Sequence, residues 1–153
     1  MMEDILQKGV VKFENKVDFN FLSTLLDRNH FISQFTSNWL KDYVFNSVFR
    51  IKAVQYDPFF IDTYKSLQEK YNSGNLPADL DIFFSYKMGA TSITHMDTYD
   101  VIIIGLYGET TYNLEGKEYR VCPGDLLQIP KGVTHTAIGM TPRIILSYGI
   151  YNN

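Results

Sequence analysis

Hydrophobic and polar positions follow two different periods along the chain, and the change from one to the other falls near residue 75. Before that point the helical period dominates. Residues 18–31 have Asp18 or Asn20 as a candidate N-cap. Their apolar positions recur at helical spacing: Phe21, Leu22, Leu25 and Leu26. This pattern predicts an amphipathic helix near the N-terminus.

A second and clearer helix is predicted over residues 56–74. Asp57 is its expected cap, Pro58 occupies the first turn, and Asn72 to Gly74 end it. Residues 33–45 predict a further short helix, and residues 47–54 alternate as a strand does. The first half of the chain is therefore expected to be mostly helical.

After residue 80 the pattern changes to short runs with a period of two, separated by turn residues. Glu115-Gly116 is a hairpin signal between two of these runs. Eight strands are predicted: 81–88, 92–96, 100–107, 109–114, 117–122, 125–129, 133–139 and 143–151. This is the pattern of a small antiparallel barrel or jelly roll. We therefore expect a mainly β single domain over residues 1–153, in which residues 1–79 support a barrel formed by residues 80–153.

Composition narrows the class of protein. The 153 residues are enough for one domain with a real core, and 45% are hydrophobic against 20% charged, which is typical of a globular chain. A net charge of −3 gives no general attraction to nucleic acid or anionic membrane. Cys122 is the single cysteine, and residues 1–11 lack an apolar signal core. A cytoplasmic location without a membrane span is expected.

The candidate chemistry lies in three side chains. His95 and Asp97 are two residues apart, so on a strand both would point to one face. The chain has three histidines, and His135 ends another predicted strand. Two imidazoles and one carboxylate on one side of a metal form the facial triad of non-heme Fe(II) oxygenases. The predicted metal ligands are therefore His95, Asp97 and His135.

The same residues carry a family resemblance. The spacing Gly89-x5-His95-x-Asp97, followed later by Gly108, resembles the first motif of the cupin superfamily. The usual motif has His where Asp97 stands and a Glu near Val101, and the chain has neither. The change to H-x-D is similar to the Jumonji-C branch, the 2-oxoglutarate-dependent protein hydroxylases. The string HMDTYDVIIIGLYG resembles their ribosomal-oxygenase members.

A second motif supports that resemblance. Residues 124–135, GDLLQIPKGVTH, match the second cupin motif at every fixed position up to His135. The likeness extends over roughly residues 80–150. It implies a double-stranded β-helix with bracing N-terminal helices, Fe(II) as the metal, 2-oxoglutarate as cosubstrate, and a protein side chain as substrate. Because cupins pair through their sheets, it also suggests a homodimer.

One expected feature of the family is absent. The far carboxylate of 2-oxoglutarate is usually held by a Lys or Arg at the position of Thr110. Because the last strand has an apolar set at Ile144, Leu146, Tyr148 and Ile150, this set is expected to face inward and Arg143 outward. Lys87 is expected to face outward too, and whether Arg50 or Lys52 reaches in stays open. The predicted cosubstrate residues are Ser92, Tyr86, Thr110, Tyr112 and Tyr148.

The leading hypothesis is an Fe(II)- and 2-oxoglutarate-dependent hydroxylase. Two alternatives remain. One is a cupin module that binds a metal or a small ligand without turnover, which the missing basic residue at Thr110 favours. The other is a metal-dependent cupin enzyme that does not use 2-oxoglutarate, such as a small-molecule dioxygenase or isomerase.

Overall fold

The computed structural model describes residues 5–28, 33–34 and 47–151. Its helices are α1 (Phe19–Arg28) and α2 (Ile61–Tyr71), with a 3-10 turn at Val54–Tyr56. The first strands are β1 (Leu6–Gln7), β2 (Ser33–Gln34) and β3 (Val48–Ile51). The strands of the second half are β4 (Ala78–Ser85), β5 (Gly89–Ala90), β6 (Asp100–Tyr107), β7 (Thr110–Leu114), β8 (Lys117–Val121), β9 (Leu126–Ile129), β10 (His135–Gly139) and β11 (Arg143–Ile150).

These strands form two antiparallel sheets that enclose a barrel. The larger sheet has seven strands in the order β1-β9-β6-β11-β4-β3-β2, and the smaller has four in the order β5-β10-β7-β8. From β4 to β11 successive strands alternate between the two sheets, as in a double-stranded β-helix, except that β7 and β8 form a hairpin within the smaller sheet. The prediction of a mainly β barrel with N-terminal bracing helices is confirmed. No described helix is long and apolar enough to cross a membrane.

The two predicted helices are present with adjusted ends. The backbone N–H of Phe21 donates to the Asp18 carboxylate at 2.9 Å, which identifies Asp18 as the cap of α1. Helix α2 begins at Ile61 because the Asp57 carboxylate accepts from the Phe59 N–H and closes a turn first. The short helix predicted over 33–45 is wrong at Ser33–Gln34, which form β2, and its remainder lies outside the described residues.

The larger sheet is buried on both faces. One face packs against α1 and α2, and its side chains join theirs in one core cluster: Leu22, Leu25, Leu67, Leu80, Ile82, Ile104, Ile144, Leu146, Tyr148 and others. The opposite face looks into the barrel, where a second cluster contains Val101, Ile103, Tyr112, Leu114, Tyr119, Leu127 and Ile129. Alternate residues of β11 therefore belong to different interiors.

The strand predicted over residues 92–96 is wrong. Only Gly89 and Ala90 form β5, and the segment continues as a loop beside β10. Side chains explain the change, because the Ser92 hydroxyl accepts from the Ala137 N–H at 3.2 Å and the Thr91 hydroxyl donates to the Ala137 carbonyl at 3.1 Å. Such hydroxyls compete with the ladder of backbone hydrogen bonds. His95 keeps one isolated antiparallel bridge to His135.

Candidate metal centre

A cavity of about 390 Å³ lies between the two sheets. One end is lined by His95, Asp97 and His135, and the other by Arg143 and Thr110. The wall between them is mainly apolar and aromatic: Phe83, Val101, Ile103, Tyr112, Ile129 and Ile145. The cavity therefore has two polar regions with a mainly apolar wall between them.

The three predicted metal ligands meet at the first end. One candidate ligand atom from each of His95, Asp97 and His135 lies within 4.8 Å of the other two. The Asp97 carboxylate is 3.9 Å from His95 Nε2 and 3.6 Å from His135 Nε2. Metal–nitrogen bonds of about 2.1 Å place neighbouring ligand atoms about 3 Å apart. The two Asp97–imidazole separations therefore exceed that spacing by less than about 1 Å.

Both imidazoles are oriented by the backbone. His95 Nδ1 is 2.7 Å from the Ile93 carbonyl, and His135 Nδ1 is 2.9 Å from the Val133 carbonyl. A carbonyl oxygen only accepts, so these bonds select the tautomer of the neutral ring in which Nδ1 carries the hydrogen and Nε2 has the lone pair. This outer hydrogen bond is the usual way in which proteins fix a metal-binding histidine. The donor set therefore fits a divalent transition metal such as Fe(II).

Two different kinds of structure position the ligands. His135 begins β10 and is buried, whereas His95 and Asp97 lie on the loop and are partly exposed. Reciprocal backbone hydrogen bonds of 3.0 and 2.8 Å join His95 to His135, and the Gly132 N–H donates to the Asp97 carbonyl at 2.8 Å. The predicted convergence is therefore found, although a cross-linked loop and not a shared strand face produces it.

Asp100 fastens the neighbouring turn. Its carboxylate accepts from the Lys131 N–H at 2.9 Å, next to Gly132, whose φ of 78° lies in the left-handed region. The turn from Pro130 to Gly132 leads directly into His135, so Asp100 links the loop that carries Asp97 to the strand that carries His135.

The second end of the cavity holds a buried cation. Arg143 is 5% exposed, and its Nη1 donates to the carbonyls of Lys87 at 2.5 Å and Thr141 at 3.1 Å. Burial lowers the pKa of Arg143 from its ordinary value, and the neighbouring Tyr112 opposes that change. Burial raises the pKa of Tyr112, so its hydroxyl stays protonated and can donate. Thr110 is buried beside them.

The orientation predicted for Arg143 is wrong. Ile144, Leu146, Tyr148 and Ile150 do face an interior, but it is the core against the helices. Arg143, Ile145 and Ser147 face the cavity instead. The assumption that the most apolar face of a strand lines the pocket fails here, because both faces of the sheet are buried. Arg143 and Ser147, two polar positions in a strand with no solvent-facing side, were the available signal.

The predicted cosubstrate residues separate into two groups. Ser92, Thr110 and Tyr112 line the cavity. Tyr148 instead packs against Tyr64, with ring centroids 5.7 Å apart, and Tyr86 stacks on Phe19 of α1 at 4.9 Å. The prediction that both tyrosines line the pocket is wrong for the same reason: the face assigned to the pocket is the one that packs against the helices.

Neither Arg50 nor Lys52 supplies the charge that is missing at position 110. Arg50 forms an ion pair with Asp81 and lies over the Phe83 ring at 5.5 Å. Lys52 and Lys87 do not line the cavity, whereas Arg143 does. Within the described residues, Arg143 is therefore the cation of this cavity.

Comparison with known proteins agrees with this geometry. Residues 82–146 match the family model described as a cupin domain. No curated protein sequence matches the chain. The matched segment includes all three candidate metal ligands and Arg143.

Among solved structures, the chain is similar to YcfD, a ribosomal oxygenase from Escherichia coli. The complex with cobalt and 2-oxoglutarate has a TM-score of 0.70 and 20% identity over 93% of this chain and 46% of that one. The complex with cobalt and succinic acid has a TM-score of 0.68 and 18% identity over 97% and 48%. The chain therefore spans about half the length of these structures, and the likeness shows the fold.

A structure of comparable length is also similar. The conserved protein SPY1581 of unknown function from Streptococcus pyogenes has a TM-score of 0.52 and 12% identity over 94% of this chain and 93% of that one. The fold therefore occurs both within a longer oxygenase and in a chain of about this size.

Proposed function

We propose that this chain, whose residues 82–146 match a cupin-domain model, acts as an Fe(II)- and 2-oxoglutarate-dependent oxygenase. The observation that carries the proposal is the convergence of His95, Asp97 and His135 on a cavity between the two sheets, with the Nδ1 atom of each imidazole held by a backbone carbonyl. The complex of YcfD with cobalt and 2-oxoglutarate supports a metal together with 2-oxoglutarate.

His95, Asp97 and His135 would hold the metal, and the carboxylate would offset part of its charge. Bound iron would supply the activation of dioxygen and the oxidation of a C–H bond. The chain itself orients the reactants. The Ile93 and Val133 carbonyls keep the imidazoles in the binding tautomer, and the hydroxyls of Thr110 and Tyr112 are available to the far end of 2-oxoglutarate.

The cavity walls protect that chemistry from water. Val101, Ile103 and Ile129 are each less than 9% exposed and line the passage between its two ends. Exclusion of water strengthens every electrostatic interaction inside the cavity and limits side reactions. The barrel thus supplies position and a dry environment.

A protein side chain is the proposed substrate. This proposal comes from the resemblance to ribosomal oxygenases and from the description of YcfD as one. Ile93 and Met96, which flank His95, are 85% and 59% exposed. A substrate that approaches the metal end would therefore meet apolar side chains.

The test combines turnover with binding. Asp97→Ala and His95→Ala should each abolish succinate formation from 2-oxoglutarate and weaken metal binding by more than about 100-fold, since a lost ligand exceeds the 10–100-fold of a lost outer partner. Chelation should have the same effect on succinate. Asp62→Ala, which removes a carboxylate from the first turn of α2, is the matched control and should change neither. Succinate release that survives both ligand variants and chelation would disprove the proposal.

A cupin enzyme that uses the metal without 2-oxoglutarate is the second candidate. Thr110 favours it, because the resemblance implies a Lys or Arg at that position for the far carboxylate of 2-oxoglutarate. Calorimetry with 2-oxoglutarate and a redox-inert divalent metal separates the cases. Binding of 2-oxoglutarate that requires the metal supports the oxygenase. Oxygen uptake without a keto acid supports the second candidate, and metal binding alone supports a binding module.

A further inference from the structure

The buried guanidinium of Arg143 has no carboxylate partner among residues 5–28, 33–34 and 47–151. Its Nη1 is used by two backbone carbonyls, and its Nε and Nη2 have no hydrogen-bond partner in that part of the chain. Buried charges in proteins are normally paired, because removing an ion from water is costly. A cation of this kind, lining a cavity, indicates a site for an anion.

The register of the smaller sheet places this cation next to Thr110. Gly139 on β10 is the direct partner of Thr110 on β7. A Cβ atom built at Gly139 would overlap the Arg143 guanidinium, so the guanidinium lies directly over Gly139. Side chains of direct partners in an antiparallel pair start about 5 Å apart. Arg143 and a longer side chain at position 110 would therefore compete for one volume.

We propose that Arg143 selects a dicarboxylate cosubstrate. Arg143, on the last strand, supplies the positive charge that the family usually has at position 110, which is why an uncharged Thr110 is tolerated there. The inference rests on the proposed function, and it assigns the selection of 2-oxoglutarate to a residue of β11. Gly139 is the positioning residue, since it leaves the space in which the guanidinium lies.

Space, and not backbone conformation, explains the glycine at position 139. Gly139 lies in β10 and pairs with Thr110 of β7. Its φ is not in the left-handed region that favours glycine at Gly132 or Gly124. A side chain there would meet both the guanidinium and the Lys87 carbonyl that holds it. Any substitution should therefore displace Arg143 from its two carbonyl partners.

Selection follows from the chemistry of the far end of the cosubstrate. A carboxylate there can accept charge-assisted hydrogen bonds from Arg143 and one from the Tyr112 hydroxyl. A 2-oxo acid with an alkyl end, such as 2-oxohexanoate, leaves the guanidinium buried without an anion. The protein should therefore prefer the dicarboxylate, and the preference should depend on Arg143.

The first experiment measures the preference directly. Calorimetry with a redox-inert divalent metal gives the affinities of 2-oxoglutarate and 2-oxohexanoate for each variant. Arg143→Met should lower the affinity for 2-oxoglutarate by about 10- to 100-fold, which is the range for hydrogen bonds to charged groups. The ratio of the two affinities should then be close to one. Metal affinity should stay unchanged, which also verifies the fold. An unchanged ratio in Arg143→Met overturns the inference.

The second experiment moves the charge to the other strand. Thr110→Lys combined with Arg143→Met should recover part of the preference for 2-oxoglutarate, because a lysine from β7 enters the volume that Arg143 has left. Thr110→Lys alone should weaken 2-oxoglutarate, since two cations would then share that volume. Loss of the preference in the double variant, with metal binding intact, contradicts a shared site.

Gly139→Ala tests the positioning role. It should weaken 2-oxoglutarate in the otherwise unchanged chain but add no further loss in the Arg143→Met background, since residues that act through one another are not additive. Gly74→Ala is the control, because a Cβ there meets only Leu76 at an ordinary 3.8 Å. An equal loss in both backgrounds would show that Gly139 acts independently of Arg143. If the unchanged protein with metal does not bind 2-oxoglutarate, the proposed function fails, and this inference fails with it.

Discussion

The two faces of the larger sheet are both buried, yet their side chains differ in kind. On β11 the face toward the helices has Ile144, Leu146 and Tyr148, all 0% exposed. The opposite face has Arg143, Ile145 and Ser147 and borders a cavity. One face is therefore packed to exclude space, while the other keeps space and polar groups.

The two faces therefore have different roles: one stabilises the fold and the other forms the candidate site. Close packing is what an apolar core contributes to folding, and it leaves no room for a ligand. A cavity leaves contacts unmade and a buried cation unpaired, and both are unfavourable for folding alone. The site is therefore on the less apolar of the two interiors, and the helices serve the other one.

The largest expected effect comes from deleting a side chain on the helix-facing side. Leu146→Ala should lower the free energy of unfolding by about 2–5 kcal/mol, because it removes buried methyl groups and leaves a void in the core shared with α1 and α2. Ser147→Ala, the next residue on the opposite face, should cost less than about 1 kcal/mol. Urea denaturation of the two variants measures both values.

Metal affinity completes that comparison. Folded Leu146→Ala protein should bind the metal as the unchanged chain does, because no triad residue contacts the helix-facing core. Equal destabilisation by the two substitutions would contradict the assignment of the faces.

The sequence predicts the fold and the convergence of the candidate metal ligands better than it predicts the orientation of single strands. The spacing of residues 89–97 and 124–135 locates His95, Asp97 and His135 correctly even though the strand predicted over 92–96 is a loop. A motif constrains where ligands meet, whichever backbone carries them. Alternation constrains only which residues share a face, and Arg143 was misassigned because the more apolar face of β11 was taken to be the cavity face.

The turn between β8 and β9 gives a second, smaller effect on stability. Asp125 precedes β9, and its carboxylate accepts from Lys8 Nζ at 2.5 Å, from the Cys122 N–H at 2.7 Å and from the Gly9 N–H at 2.9 Å. Burial alone would raise the pKa of Asp125, but these hydrogen bonds together lower it. The carboxylate therefore fastens the segment after β1 to the barrel.

Asp125→Asn should lower the free energy of unfolding at pH 7 by about 1–3 kcal/mol. The amide nitrogen of Asn would replace one carboxylate oxygen, and it cannot accept the hydrogen bonds that this oxygen now accepts. Since the folded pKa is depressed, the contribution of Asp125 is present above the unfolded pKa of about 3.9 and is lost as the pH falls through the folded pKa. Unfolding of both proteins from pH 7 downward should show the difference shrinking in acid. Glu118→Gln, an exposed carboxylate on β8, should show no such difference.

The substitutions with the smallest effect on folding give the sharpest distinction between the faces, since each removes a single hydroxyl group from one face. Tyr112→Phe and Tyr148→Phe each remove a buried hydroxyl, and each should cost about 1 kcal/mol of stability or less. The Tyr148 hydroxyl is 3.4 Å from Asn72 Nδ2 on the helix-facing side, so its loss should leave 2-oxoglutarate affinity unchanged. The Tyr112 hydroxyl lies beside Arg143 in the cavity, so its loss should weaken 2-oxoglutarate by about 10-fold. Calorimetry with a redox-inert metal measures both, and a weaker 2-oxoglutarate complex in Tyr148→Phe would return that residue to the pocket, where the alternation of β11 alone had placed it.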